Sequence, residues 1–194
     1  DDFLLIGRNY NECLNNISST IKLLESLGFT INYEKSSLIP NTKCQYLGFM
    51  YDTVSMTVSP TEQKISRICD ETRHFMSTTQ SSIREFAAYI GRLTSICPAV
   101  KYGWVHTKLF EREKLLALRN NFENYDAVMT ISNLLSTDFR WWLSNLPLAN
   151  KPLGFPIYSL EIFTDASRTG WGACCGSQRA HGFWSLEEKM YHIN

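Results

Sequence analysis

DDFLLIG (1–7) places two neighbouring carboxylates, Asp1 and Asp2, on a short apolar run closed by Gly7. Like charges held side by side repel. The pair therefore either sits in a solvated turn or holds a hard cation such as magnesium, which prefers oxygen ligands. The run behind the pair reads as a strand. Asn9 then starts a helix, with Glu12 three residues on as in a capping box. Leu14, Ile17, Ile21, Leu24 and Leu27 recur at three- and four-residue steps, and Gly28 ends the helix. Strands are predicted at FTINY (29–33), YLGFMYD (46–52) and MTV (56–58), with Pro40-Asn41-Thr42 turning between the first two. Read as one strand, 46–52 puts Leu47 and Phe49 on one face and Tyr46 on the other.

The texture changes at Ser59-Pro60-Thr61-Glu62, which reads as an N-cap, a first-turn proline and a box glutamate. Ile65, Ile68, Thr72 and Phe75 form one face of the helix that follows. A second box, Ser82-Ile83-Arg84-Glu85, opens a helix with Phe86, Ile90 and Leu93 inward, and Pro98 ends it. Further helices are predicted near 104–119 and over a segment carrying Ile131, Leu134, Leu135, Trp142, Leu143 and Leu146. The three prolines of 147–157 read as a linker. LEIFTDAS, GWGACCG and HGFWS then make three strand-like runs, and Ser185-Leu186-Glu187-Glu188 is one more box. The chain therefore divides into 1–58, 59–146, a linker at 147–157, and 158–194. The fold class is α+β.

Composition narrows the function classes. A content of 44% apolar and 13% aromatic residues suits a packed core rather than disorder. No stretch approaches the roughly 18 apolar residues of a membrane span. The start lacks the form of a secretory leader. The six cysteines show no CxxC spacing, which argues against zinc and for reduced thiols in an intracellular setting, cytoplasmic or nuclear. Net charge is zero, but its distribution is uneven. Residues 1–60 carry four Lys/Arg against six Asp/Glu, 61–120 ten against six, and 121–194 five against seven. A basic middle suits contact with phosphates, with Lys64, Arg67 and Arg73 as candidates; the plain alternative is a solvated helical surface. Trp141 and Trp142 read as packing residues. His181 and His192 lack ligand-like spacing. Asp165, in an otherwise apolar strand, must be solvated, paired or metal-bound, because burying it bare is too costly.

DDFLLIG, a helix, LGFTINYEKS and YLGF, in this order and at close spacing, resemble the second half of a reverse transcriptase palm. The resemblance implies that Asp1 and Asp2 end the YxDD box whose carboxylates bind catalytic magnesium. It implies that Lys35 lies near the incoming nucleotide's phosphates. It also implies that Tyr46, Leu47, Gly48 and Phe49 form the primer grip, a hairpin holding the primer's end. SIREFAAYIGRLTSICPAV (82–100) resembles the thumb and its exit toward the connection. LEIFTDASRTGWGACCG and HGFWSLEEKMYHIN resemble the opening of a ribonuclease H domain, with Asp165 as its first metal-binding aspartate. PAVKYGW, LFEREK, NYDAVM and TDASRTGWGA are similar to retrotransposon polymerases of the tyrosine-recombinase (DIRS-like) group.

The implied organisation is a late palm with primer grip, a helical thumb and connection, and an incomplete ribonuclease H-like α/β domain. The implied enzyme is an RNA-directed DNA polymerase with ribonuclease H. It would act on an RNA/DNA template–primer duplex and deoxynucleotides, with two-metal magnesium sites. On this reading the chain lacks an upstream palm and fingers and the later ribonuclease H segments, so the piece alone is expected to be inactive. Two alternatives stand beside it: a non-catalytic nucleic-acid-binding module using the basic helices, and a decayed retroelement remnant.

Overall fold

The computed structural model describes residues 2–154 and 158–190. Two compact units emerge, divided between Leu153 and Gly154.

In the first unit, α1 (Tyr10–Ser26) begins at Asn9, whose side chain accepts the Glu12 N–H at 2.9 Å. The Glu12 carboxylate takes the N–H of Arg8 rather than that of Asn9, so the box closes one residue early. The helix ends in a Schellman motif. Gly28 (φ 87°) and Phe29 donate to the carbonyls of Glu25 and Leu24 at 3.0 Å each.

Three four-residue strands follow: β1 (Lys43–Tyr46), β2 (Phe49–Asp52) and β3 (Thr57–Pro60), an antiparallel meander. The run 46–52 is thus not one strand. Leu47 (φ 49°) and Gly48 (φ 77°) form a two-residue turn with both angles positive, the type I′ geometry that matches strand twist. Tyr46 and Phe49 pair directly across it and so share a face, correcting the alternation expected above.

Two other predicted strands are absent. Residues 2–7 form no ladder. The Leu5 and Ile6 carbonyls instead accept from Cys13 Sγ and Asn16 Nδ2 of α1. FTINY is irregular and leads into a turn at 33–35, with the Tyr33 hydroxyl donating back to Glu25 at 2.6 Å.

α2 (Glu62–Ser77) is capped by Thr61, not Ser59, because Ser59 and Pro60 are held in the ladder opposite Met50 and Phe49. α3 (Ile83–Ile96) opens with the full reciprocal Ser82/Glu85 box. α4 (Lys108–Asn120) and α5 (Ser136–Asn145) complete the helices, and Ile131 lies before α5, outside it. Two short strands, β4 (Gln80–Ser82) and β5 (Val128–Thr130), pair with each other. Inside the proline-rich stretch, β6 (Lys151–Pro152) pairs with Thr57 and Val58 of β3.

The core lies between these helices. Phe75, Phe86, Tyr89, Phe110, Phe139 and Trp142 are buried, with ring centroids 4.8–6.2 Å apart along the chain of contacts from Phe75 to Phe139. The Tyr89 hydroxyl meets Thr72 Oγ1 at 3.0 Å, and burial pushes its ionisation well above the ordinary phenol range.

The second unit is a meander of β7 (Phe163–Ala166), β8 (Gly170–Cys175) and β9 (Gln178–Phe183). Ser185 and Glu188 form the expected reciprocal box, at 2.8 and 3.2 Å, leading into a single 3-10 turn (Glu188–Met190). No helix among the described residues is long and apolar enough to cross a membrane.

Candidate nucleic-acid interface at the hairpin tip

The β1–β2 tip is the best-defined candidate site in the first unit. A leucine in the left-handed region costs roughly 1 kcal/mol. Leu47 bears that cost while 60% exposed. Strain of this kind persists where surrounding contacts enforce it, and here both turn carbonyls are claimed by the start of α2. The Thr61 N–H donates to the Gly48 carbonyl at 3.3 Å, and Lys64 Nζ donates to that of Leu47 at 3.2 Å. The same ammonium lies 4.7 Å from the Phe49 ring centroid. A Cβ on Gly48 would fall 2.3 Å from Lys64 Cε, so glycine both supplies the backbone angle and makes room for the latch. From the other side, the Tyr46 hydroxyl donates to the Asp2 carbonyl at 3.1 Å. The tip therefore joins the acid-bearing segment to α2, with one aromatic ring and one cation on its surface.

The remaining sequence candidates are distributed differently. Asp1 lies outside the described residues. Asp2 is exposed. Lys35 sits in the exposed 33–35 turn, its N–H donating to Asn32 Oδ1 at 3.2 Å. Arg67 pairs with Glu71 at 3.2 Å and Arg73 with Asp70 at 2.7 Å. Nine residues separate Lys64 from Arg73, which puts them on opposite sides of α2. Lys64 therefore serves the hairpin, and the trio does not form one patch.

In the second unit, Asp165 is exposed, and its Oδ1 accepts the Ala166 N–H at 2.8 Å. Asp165, Gly172 and His181 occupy one row across β7, β8 and β9. That row lines a cleft of about 330 Å³ together with Ser167, Gly182 and Phe183. Strand register is what brings His181 to this face, so sequence spacing gave no sign of it.

Magnesium binding asks for several oxygens around one point. Among the described residues, no group of three or more His, Cys, Asp or Glu side chains gathers to hold an ion. Asp2 and Asp165 each stand as a single described carboxylate, so the described residues alone do not compose a metal site.

Trp142 is buried and donates from Nε1 to the His106 carbonyl at 3.1 Å. Trp141 stacks on His106, with centroids 3.8 Å apart and planes at 15°. The imidazole in turn meets the buried Asp138, Nδ1 to Oδ1, at 2.7 Å. Sequence reading missed His106 and Asp138, which lie 32 residues apart.

No family model and no curated protein matches the sequence. Among solved structures, the foamy viral protease-reverse transcriptase in complex with an RNA/DNA hybrid is similar at TM-score 0.53 and 14% identity. The dRH form of that protein in complex with double-stranded DNA is similar at TM-score 0.51 and 13% identity. Both likenesses cover 95% of this chain, but only 24% and 31% of those chains respectively. The chain thus has the fold of part of a reverse transcriptase.

Proposed function

We propose that this chain is the late palm, thumb and connection, and ribonuclease H onset of an RNA-directed DNA polymerase from a retrotransposon of the tyrosine-recombinase group. The observation that carries the reading is the pinned tip Tyr46–Leu47–Gly48–Phe49. A strained, exposed turn is held rigidly against α2 and tied by Tyr46 to the Asp2 backbone. Such a tip is built to hold a polymer end in register, and alignment is a main source of rate in nucleotidyl transfer. The fold likeness over 95% of the chain supports the same reading.

In the longer parent, Asp1 and Asp2 would supply oxygen ligands to magnesium, which neutralises phosphoryl charge, and Asp165 would do so at the nuclease centre. Lys35 would meet nucleotide phosphates. Phe49 and Tyr46 would position the primer strand of an RNA/DNA duplex, with Lys64 fixing the tip that carries them. Arg67 and Arg73 would contribute general attraction to phosphates, tempered by their own ion pairs.

The test is salt-dependent binding of an RNA/DNA template–primer duplex to the 194-residue chain. Binding that weakens as salt rises is expected, and Phe49→Ala and Lys64→Ala should each reduce it severalfold. Absence of duplex binding at low salt overturns the proposal. The same preparation is expected to give no magnesium-dependent primer extension, and extension would refute the incomplete-site reading.

A further inference from the structure

We propose that the loop at residues 100–106 is a second nucleic-acid contact, a rigid stacking ledge for unpaired bases, distinct from the hairpin tip. The first observation is strain without burial. The Gly103 N–H donates to the Val100 carbonyl at 3.0 Å, closing a β-turn whose third residue, Tyr102, has φ 67°. That position favours glycine or asparagine. Tyr102 occupies it while 63% exposed, so burial does not offset the backbone cost.

The second observation is the anchoring beneath. A Cβ on Gly103 would meet Cys97 Sγ at 3.0 Å and Trp142 Cη2 at 3.1 Å, so the loop backbone lies directly on the core. Buried Thr107 donates to the Trp104 carbonyl at 3.0 Å, and Trp142 holds the carbonyl of His106. The His106 ring is braced by Asp138 and Trp141. The backbone is fixed while Tyr102, Trp104 (48% exposed) and Val105 (64%) face solvent.

The third observation selects the occupant. Lys101 Nζ lies 5.0 Å from the Tyr102 ring centroid. Flat rings beside a cation, presented on an anchored backbone, match the stacked base and phosphate of a single strand. Phe122 offers a useful contrast. It is also left-handed (φ 53°) and 97% exposed, but among the described residues no cation lies over its ring.

The experiment is anisotropy titration of the 194-residue chain with a fluorescent thymidine dodecamer at low salt, run beside the duplex. Tyr102→Gly and Trp104→Ala should each lower dodecamer affinity about tenfold, while Tyr102→Phe binds like the parent, because stacking needs the ring and not the hydroxyl. Tyr102→Gly should also raise the melting temperature by relieving the left-handed strain, so its binding loss cannot come from unfolding. The inference is overturned if the parent does not bind the dodecamer. It is overturned equally if both variants bind as the parent does, or if they alter only self-association by sedimentation, which would make the ledge a protein contact. Dodecamer binding without duplex binding would leave this ledge standing and remove the hairpin-tip reading; the reverse result would do the opposite.

Discussion

The segment from Val58 to Leu146 and the stretches on either side of it fold by different rules. Every buried apolar side chain among the described residues falls within that segment. Residues 2–57 and the described part of 158–190 contain none. Yet α1, like α3, is amphipathic in sequence. Its face leaves Leu14 42% exposed and Ile17, Ile21 and Leu24 only half-buried, whereas Ile83, Phe86, Tyr89 and Leu93 of α3 are fully enclosed. The difference teaches that an apolar stripe specifies a helix, while burial depends on which other elements reach that stripe. The hairpin tip and the acid-bearing row sit on the regions that bury least, and the packed helices provide the rigid base to which the tip is tied.

The sharpest way to break this contrast is truncation on each side of it. Trp142→Ala, at a fully buried position, should cost about 3–5 kcal/mol in urea unfolding. Leu14→Ala on the apolar face of α1 should stay within about 0.5 kcal/mol. Equal losses would mean that α1 is packed as tightly as the core. A smaller effect is expected at the Tyr89–Thr72 pair. Tyr89→Phe leaves Thr72 still donating to the Ile68 carbonyl at 2.6 Å, so only the bond between the two hydroxyls is lost, about 1 kcal/mol.

The α3 cap sharpens the comparison through pH. Ser82→Ala should cost about 1 kcal/mol near neutrality. Hydrogen bonds from Ser82 and Ser81 hold the Glu85 carboxyl below its ordinary 4.5. A depressed carboxyl stabilises the fold above its unfolded value, and that contribution is lost as pH falls through the folded value. The gap between parent and Ser82→Ala should therefore close in acid, in denaturation curves taken from pH 7 downward. A gap constant across that range would refute the role given to the carboxylate.

The smallest perturbation is chemical labelling of thiols, which asks only what is covered. Cys69 and Cys97 are buried, and burial pushes the Cys97 thiol up to about 11. Both should resist a disulfide reagent at pH 8 until urea is added. Cys13, Cys44, Cys174 and Cys175 are half-buried and should react first. Simultaneous reaction of all six would erase the distinction between the two regions.

Much of this architecture was legible in the residues. The Asn9 start and Gly28 stop of α1, the reciprocal Ser82/Glu85 box and the three strands of the second unit follow from local chemistry: short polar side chains satisfy free N–H groups, and glycine takes left-handed angles. The misses have a common cause. FTINY has strand composition, but Tyr33 bonds back to Glu25 and no neighbouring strand pairs with it. Ser59 is a good cap, but the ladder opposite Met50 captured it. β4 and β5, three residues each, are too short to show alternation. At the candidate site, Tyr46 to Phe49 were singled out from the motif, whereas the Lys64 latch, the His106–Asp138 pair and the Asp165–Gly172–His181 row join residues distant in sequence.

By itself, then, the order of residues settled where helices begin and end and which faces are apolar, because capping and periodicity act within about one helical turn. Tertiary structure alone decided which of those faces found a partner, that Leu47 is bent into a left-handed turn beneath a lysine, and that Tyr102 is held strained and open to solvent. Each of these outcomes depends on groups far apart along the chain, whose meeting no local preference encodes.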